Sequence, residues 1–144
     1  MQNKDTLDEL NKGCTMGMDA LNFVLDKVED KSFHEVLKKE YDKYKDIHKR
    51  IEDEYTKYAD EDDEPTETNV ITKAMTWTGV EMKTLTDTSN SKIAEILLQG
   101  TNMGIIEGRK LVNHKPNLDK NVKKILEDFV SMQEEEVETL KKYL

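Results

Sequence analysis

The chain has 144 residues, 37% of them charged and 6% aromatic, and its formal net charge of −9 argues against nucleic acid or an anionic membrane surface as a partner. A single cysteine excludes an intrachain disulfide and a cysteine-based zinc site, and no stretch forms a signal peptide or approaches the roughly 20 apolar residues of a membrane span. We therefore expect one cytoplasmic, all-α domain that spans residues 1–144 and is built from long solvated helices.

Two amphipathic patterns predict a first helical hairpin over residues 6–58. Thr6 and Glu9 have the spacing of a capping box and predict the start of the first helix, and Ser32 and Glu35 predict the start of the second. Because the connection is short, we expect the two helices to be antiparallel neighbours. The apolar stripe of the first helix consists of Leu7, Leu10, Cys14, Gly17, Leu21, Val24 and Val28. The stripe of the second consists of Leu37, Tyr41, Tyr44, His48, Ile51, Tyr55 and Tyr58.

Residues 59–88 predict a linker followed by a crossover helix. Five consecutive acidic residues repel one another in the linker, and Pro65 stops any helix that reaches it. Apolar residues at helical spacing then recur over 69–87, around Trp77. We expect this helix to lie along the bundle. Trp77 then packs either against its own bundle or, in a homodimer, against a second copy of the chain.

The last part of the chain predicts a second hairpin over residues 91–144. Its first helix, over about 91–114, is the most apolar stretch of the sequence, and Pro116 marks the turn that follows. A last helix is predicted over about 118–143. Its buried stripe consists of Val122, Ile125, Phe129, Met132, Glu136 and Leu140.

Both hairpins carry the same glycine pattern, G-x-x-M-G, at Gly13–Gly17 and again at Gly100–Gly104. Glycine in a helix interior costs about 1 kcal/mol relative to alanine, so a close approach of two helix backbones is the expected compensation. We therefore predict a four-helix bundle of two like hairpins related by a twofold axis. In this bundle the glycines of the first pair face those of the second.

Two such hairpins joined by a long connection resemble the ferritin-like four-helix-bundle superfamily, in particular its small uncharacterised bacterial members. In metal-binding members, the first helix of each hairpin supplies a Glu and the second supplies Glu-x-x-His, and together they hold two irons. The resemblance places ligand positions of this chain at Cys14, Lys45 and Thr101. It therefore implies a degenerate di-iron site, and by analogy alone a stress- or spore-related role.

Three residues are the candidates for a reduced metal site: His48, Glu107 and Glu136. His48 interrupts an aromatic and aliphatic stripe, and it is either a metal ligand or a core histidine bonded to a tyrosine or carboxylate. The two glutamates either point inward beside His48 or lie at the edge of their stripes and reach water. Because a dinuclear site needs more ligands than these, we expect no metal, no cofactor and no catalytic residue.

Two functions of different class remain open. The first is a non-enzymatic ferritin-like bundle that acts as a structural or protein-interaction module, and this is the one we favour. The second is a ferritin-like protein with an atypical iron or manganese site around the three candidate residues. The sequence carries no nucleophilic triad, P-loop or dinucleotide fingerprint that would favour an enzyme of another class.

Overall fold

The computed structural model describes residues 2–58, Met82 and 84–144. Within these ranges the chain forms four long helices and no strand: α1 (Gln2–Leu25), α2 (Lys31–Tyr55), α3 (Asn90–His114) and α4 (Lys120–Lys141). The all-α class predicted from the sequence is thus confirmed for the described part of the chain. None of the helices described there is long and apolar enough to cross a membrane.

Contacts at the two ends of the bundle define the direction of each helix. At one end, the Asn3 side chain at the start of α1 accepts from the backbone N–H of Asp119, just before α4, at 2.8 Å, and Tyr58, just after α2, donates to the Asp119 carboxylate. At the other end, Phe33 in the first turn of α2 stacks on Tyr143 after α4, with ring centroids 4.3 Å apart. Since α3 ends just before Asp119, α1 and α4 run one way and α2 and α3 the other. The end of α2 and the start of α3 therefore lie at opposite ends of the bundle.

The four helices share one hydrophobic core. α1 packs along α2 and α3 packs along α4, and the two hairpins meet through contacts of α1 with α3 and of α2 with α4. The predicted stripe of the first helix is buried from Leu7 to Val28, with Gly17 half-buried. The predicted stripe of the last helix is buried throughout, including Glu136. Both stripes are confirmed, because apolar residues at spacings of three and four leave each of these helices only one face to bury.

The buried face of α2 is wider than the predicted stripe. Phe33, Glu40 and Ile47 are buried although that stripe omits them, whereas Tyr41 and His48 are only half-buried. The reason is that α2 packs against α1 on one side and against α4 on another, so its buried residues cover two adjoining faces.

Both capping boxes predicted for the first hairpin are wrong. α1 begins at Gln2, so Thr6 lies inside the helix and is fully buried instead of capping it. At the start of α2, the cap is Asp30 and not Ser32, because Asp30 has an extended backbone and its carboxylate accepts from the N–H of Phe33 at 2.8 Å. An acceptor two residues upstream therefore satisfies the free N–H groups that the pattern had assigned to the serine.

The last residues of the predicted crossover helix are described by the structure, and they differ from the prediction. Residues 84–87, its last residues, are not helical. Asp87 instead accepts from the backbone N–H of Ser89 at 2.9 Å, a turn that competes with continuation of a helix. Residues 59–81, including Trp77, and residue 83 of this prediction lie outside the described residues.

Candidate binding cavity between α1 and α3

A cavity of about 820 Å³ lies between α1 and α3. Its floor is formed by side chains from the other two helices, Tyr44 of α2 and Phe129 of α4. At its rim, Phe23 of α1 is 38% exposed and Met103 of α3 is 40% exposed. Its apolar walls include Leu10, Met16, Leu21, Leu97 and Leu111. The cavity is therefore an apolar pocket whose rim reaches the outer face of α1 and α3.

The glycines of the repeated pattern line this cavity, but they do not bring two backbones together. The space that a side chain at Gly17 would occupy is filled by the ring of Tyr44, from the neighbouring helix of the same hairpin. Gly104 makes room in the same way for Gln133 of α4. The predicted close contact of Gly13 and Gly17 with the glycines of α3 is wrong, because each hairpin uses its own glycine to admit a large side chain from its own partner helix.

Glu136 lies at the inner wall of the cavity and is 2% exposed. Its Oε1 is 2.6 Å from the Thr101 hydroxyl, which is also 2.8 Å from the carbonyl oxygen of Leu97. The hydroxyl has a single proton, so an ionised Glu136 competes with Leu97 for it. A protonated Glu136 instead donates to Thr101, and Thr101 then donates to Leu97. Both forms of this carboxyl group can therefore bond to Thr101, but only the neutral form leaves the bond from Thr101 to Leu97 intact.

Burial raises the pKa of Glu136 from 4.5 to about 7. The hydroxyls of Thr101 and Tyr44 and the charge of Lys43 lower this pKa, whereas the nearby charge of Glu40 raises it further. The pKa of Glu40 is itself raised, mainly by burial, although the Lys43 ammonium 3.3 Å away opposes that shift. Two buried glutamates on α2 and α4 are thus both easier to protonate than exposed ones.

Several buried oxygens near the cavity have no hydrogen-bond donor among the described residues. They are Oε2 of Glu136, Oε2 of Glu40 and Oε1 of Gln133. The amide nitrogen of Gln133 lies 3.5 Å from the Tyr44 hydroxyl, which leaves its carbonyl oxygen free to accept. Buried polar atoms are normally satisfied, so these acceptors identify where a further donor fits.

Cys14 does not have the properties of a reactive thiol or a metal ligand. It is fully buried, and its Sγ donates to the backbone carbonyl of Tyr44 at 3.0 Å. Burial raises the pKa of the thiol from 9.0 to about 12, so it stays protonated at neutral pH. It therefore packs as a small apolar side chain, in agreement with its place in the predicted stripe.

The structure does not bring the three candidate metal ligands together. The Nδ1 of His48 is 2.9 Å from the Asn11 side-chain oxygen, and its Nε2 is 2.6 Å from the Glu52 carboxylate. Glu107 is on the surface, with its side chain 68% exposed and Lys110 at 3.6 Å. Of the three, only Glu136 is fully buried. Across residues 2–58 and 84–144, no three His, Cys, Asp or Glu side chains converge on a point that could hold a metal ion.

The predicted stripe of the last helix includes Glu136, but the sequence patterns do not indicate its neighbours in the structure. Gln133 is not part of that predicted stripe, although its spacing of three from Glu136 places both on the same face of α4. The predicted stripe of the second helix indicates only that Tyr44 is buried, whereas its ring fills the space above Gly17 and its hydroxyl approaches Gln133. For Thr101, the resemblance implies only the position of a replaced metal ligand. Its bond to Glu136 joins residues 35 positions apart, which no local pattern shows.

No protein-family model matches this chain, and no curated protein and no solved structure matches it either. Its class is therefore defined by the fold itself, an all-helical bundle of two antiparallel hairpins with a large apolar cavity between α1 and α3.

Proposed function

We propose that this protein is a non-enzymatic, ferritin-like helical bundle that acts as an interaction module, with the cavity between α1 and α3 as its binding site. The observation that carries the proposal is the cavity itself. Its volume of about 820 Å³ falls within the range of ligand pockets in proteins. Mostly apolar walls with a few buried polar groups are also typical of such pockets. A stress- or spore-related setting rests on the resemblance alone.

The positions that the ferritin-like resemblance assigns to metal ligands support a role without catalysis. Cys14 carries a protonated thiol that is bonded to a carbonyl oxygen, and the Thr101 hydroxyl is engaged by Glu136 and Leu97. Lys45 is exposed and brings a positive charge. Neutral or cationic groups of this kind do not bind Fe²⁺ or Mn²⁺, which prefer imidazole and carboxylate ligands.

An environment-sensitive neutral dye tests whether the cavity binds apolar molecules. We expect Nile red to bind saturably at one site per chain, with an increase in its fluorescence. Gly13→Leu should abolish this binding, because Gly13 lines the cavity and a leucine side chain there would occupy part of it. The Cβ of the new side chain would lie 3.5 Å from Phe129, an ordinary van der Waals contact, so the substitution should not disturb the helix packing. Asn22→Leu adds a leucine to an exposed position of the same helix that does not line the cavity, and it serves as the matched control.

The proposal is wrong if both variants bind the dye as the unmodified protein does, or if the unmodified protein shows no saturable binding. Helix content and the thermal midpoint of each variant, followed by circular dichroism, verify that the comparison is made between folded proteins.

The proposal also includes self-association through the residues around Trp77. These residues lie outside the described part of the chain, so this element rests on the apolar pattern over 69–87. Sedimentation velocity at increasing protein concentration should show a dimer, and Trp77→Ala should shift the protein towards monomer. A monomer at every concentration of the unmodified protein contradicts it.

A further inference from the structure

We propose that the cavity between α1 and α3 takes an amphiphilic organic amine, whose ammonium group donates to Glu136 and Gln133 while its hydrocarbon part lies against the apolar walls. The inference rests on the proposed binding function and specifies the ligand class of that same site.

The buried polar groups of the cavity require a ligand that donates hydrogen bonds. Glu136 and Gln133 both line the cavity and are 2% and 3% exposed, respectively. Oε2 of the first and Oε1 of the second have no partner among the described residues, and both are acceptors. Leaving buried acceptors unpaired costs free energy, so a ligand that brings two donors to this point gains more than one that brings none. A primary ammonium group has three N–H donors, which is enough for both acceptors.

The charges around the cavity favour a cation over a neutral donor. The two lysines of the rim already have acidic neighbours, because Lys12 lies 3.3 Å from Glu9 and Lys110 lies 3.6 Å from Glu107. Glu136 has no ion-pair partner among residues 2–58 and 84–144. An ammonium group beside it forms a charge-assisted hydrogen bond, which is stronger than a neutral one. A carboxylate ligand would meet repulsion at the same place.

The size and walls of the cavity require an apolar body as well as a head group. A bare ammonium or metal ion would leave most of about 820 Å³ unfilled. Apolar side chains such as Leu10, Leu97 and Leu111 can bury the hydrocarbon chain of the ligand away from water. They carry no polar group that would compete with Glu136 and Gln133 for the head group of the ligand. The ligand is therefore an amphiphile.

Three probes with the same eight-carbon chain separate the contributions of charge and hydrogen bonding: n-octylamine, 1-octanol and octanoate. Each is titrated into the full-length protein with bound Nile red at about pH 8, where Glu136 is ionised. We expect octylamine to displace the dye at a concentration at least about tenfold lower than octanol, and octanoate to be the weakest. Glu136→Gln should reduce the affinity for octylamine to that for octanol. Glu54→Gln, a buried glutamate of α2 outside the cavity, should leave it unchanged.

Equal affinity for octylamine and octanol overturns the inference, as does a Glu136→Gln variant that binds octylamine normally. In either case Nile red binding still stands, so the binding function survives. Absence of dye binding removes both. The ranking of the three probes on the unmodified protein needs no variant, so the test holds even if Glu136→Gln fails to fold.

Discussion

At the scale of single residues, the packing of this bundle depends on a few interior positions where a glycine or a polar side chain lies against a larger side chain from another helix. Gly17 admits the ring of Tyr44, and Gly104 admits Gln133. Glu136 is accommodated deep in the interior by the nearby hydroxyls of Thr101 and Tyr44 and by its own tendency to take up a proton. The effect of a substitution at such a position on the free energy of unfolding therefore depends on the side chain that it contacts, and it differs between two residues of the same type.

The two glycines of the first motif should respond oppositely to alanine. Alanine gains about 1 kcal/mol of helix propensity over glycine. At Gly13 the new Cβ lies 3.5 Å from Phe129, an ordinary contact, so Gly13→Ala should stabilise the protein by up to about 1 kcal/mol. At Gly17 the Cβ overlaps the buried Tyr44 ring, and overpacking of this kind costs about 1–3 kcal/mol. The midpoints of urea unfolding of the two variants, compared with that of the unmodified protein, measure both changes in stability. Equal shifts in the same direction contradict the assigned roles.

The protonation of Glu136 should make the protein less stable as the pH rises. Its pKa is about 7 in the folded state, against a usual value of 4.5, so the folded protein binds this proton more tightly than the unfolded chain. The resulting stability is complete below about pH 4.5 and is lost as the pH rises through about 7. At 1.36 kcal/mol per pKa unit the loss is on the order of 3 kcal/mol. The raised pKa of Glu40 acts in the same direction.

Urea unfolding at about pH 5, 6.5 and 8 measures this dependence. Glu136→Gln should flatten the profile and should be more stable than the unmodified protein at about pH 8. Glu107→Gln, on the exposed face of α3, is the control and should follow the unmodified protein. A profile of Glu136→Gln parallel to that of the unmodified protein would show that another group is responsible.

At the scale of helices, the ends are decided by the nearest available acceptor and the faces by the neighbouring helices. Asp30 and Ser89 both have extended backbones and accept from an N–H group three residues further along. Neither coincides with a capping box in the sequence. By contrast, the long apolar stripes of α1 and α4 are buried as predicted, because each stripe repeats over several turns. An error in the predicted end of the helix therefore does not change which face of the helix is predicted to be buried.

Alanine substitutions at the start of α2 should distinguish the structural cap from the sequence-predicted one. Asp30→Ala removes the acceptor for the N–H of Phe33 and should cost about 1 kcal/mol. Ser32→Ala, at an exposed position inside the first turn, should change the stability by less than about 0.5 kcal/mol. Thermal unfolding followed by circular dichroism gives both values. A larger loss of stability for Ser32→Ala than for Asp30→Ala would show that the sequence-predicted capping box is the one that forms.

At the scale of the whole molecule, two hairpins share one core and leave a cavity between α1 and α3. In this bundle, α1 and α4 run in one direction and α2 and α3 in the other. The relation of the two hairpins by a twofold axis stays a prediction. The interior of this bundle contains buried carboxylates, a hydroxyl and an amide near the cavity, and His48 is occupied by Asn11 and Glu52.

We accordingly expect the protein to contain no stoichiometric iron or manganese and to have no ferroxidase activity. Neutral groups at Cys14 and Thr101 and a cation at Lys45 cannot replace the carboxylates and imidazole of a di-iron site. Elemental analysis should be made on protein purified without chelators, after growth in medium supplemented with both metals. About two irons per chain, lost on His48→Ala, would establish the metalloprotein alternative.

The sequence by itself determined the helical class, the approximate extent of four helices and the buried faces of α1 and α4, because these follow from local periodicity. Only the tertiary structure decided what the glycines of the repeated motif face, since Tyr44 and Gln133 reach them from other helices. The same holds for Glu136, whose partner Thr101 lies on α3, and for the separation of His48 from Glu107 and Glu136. The cavity depends on the distance between α1 and α3. That distance is set by side chains packed across the bundle, and no pattern within one helix records it.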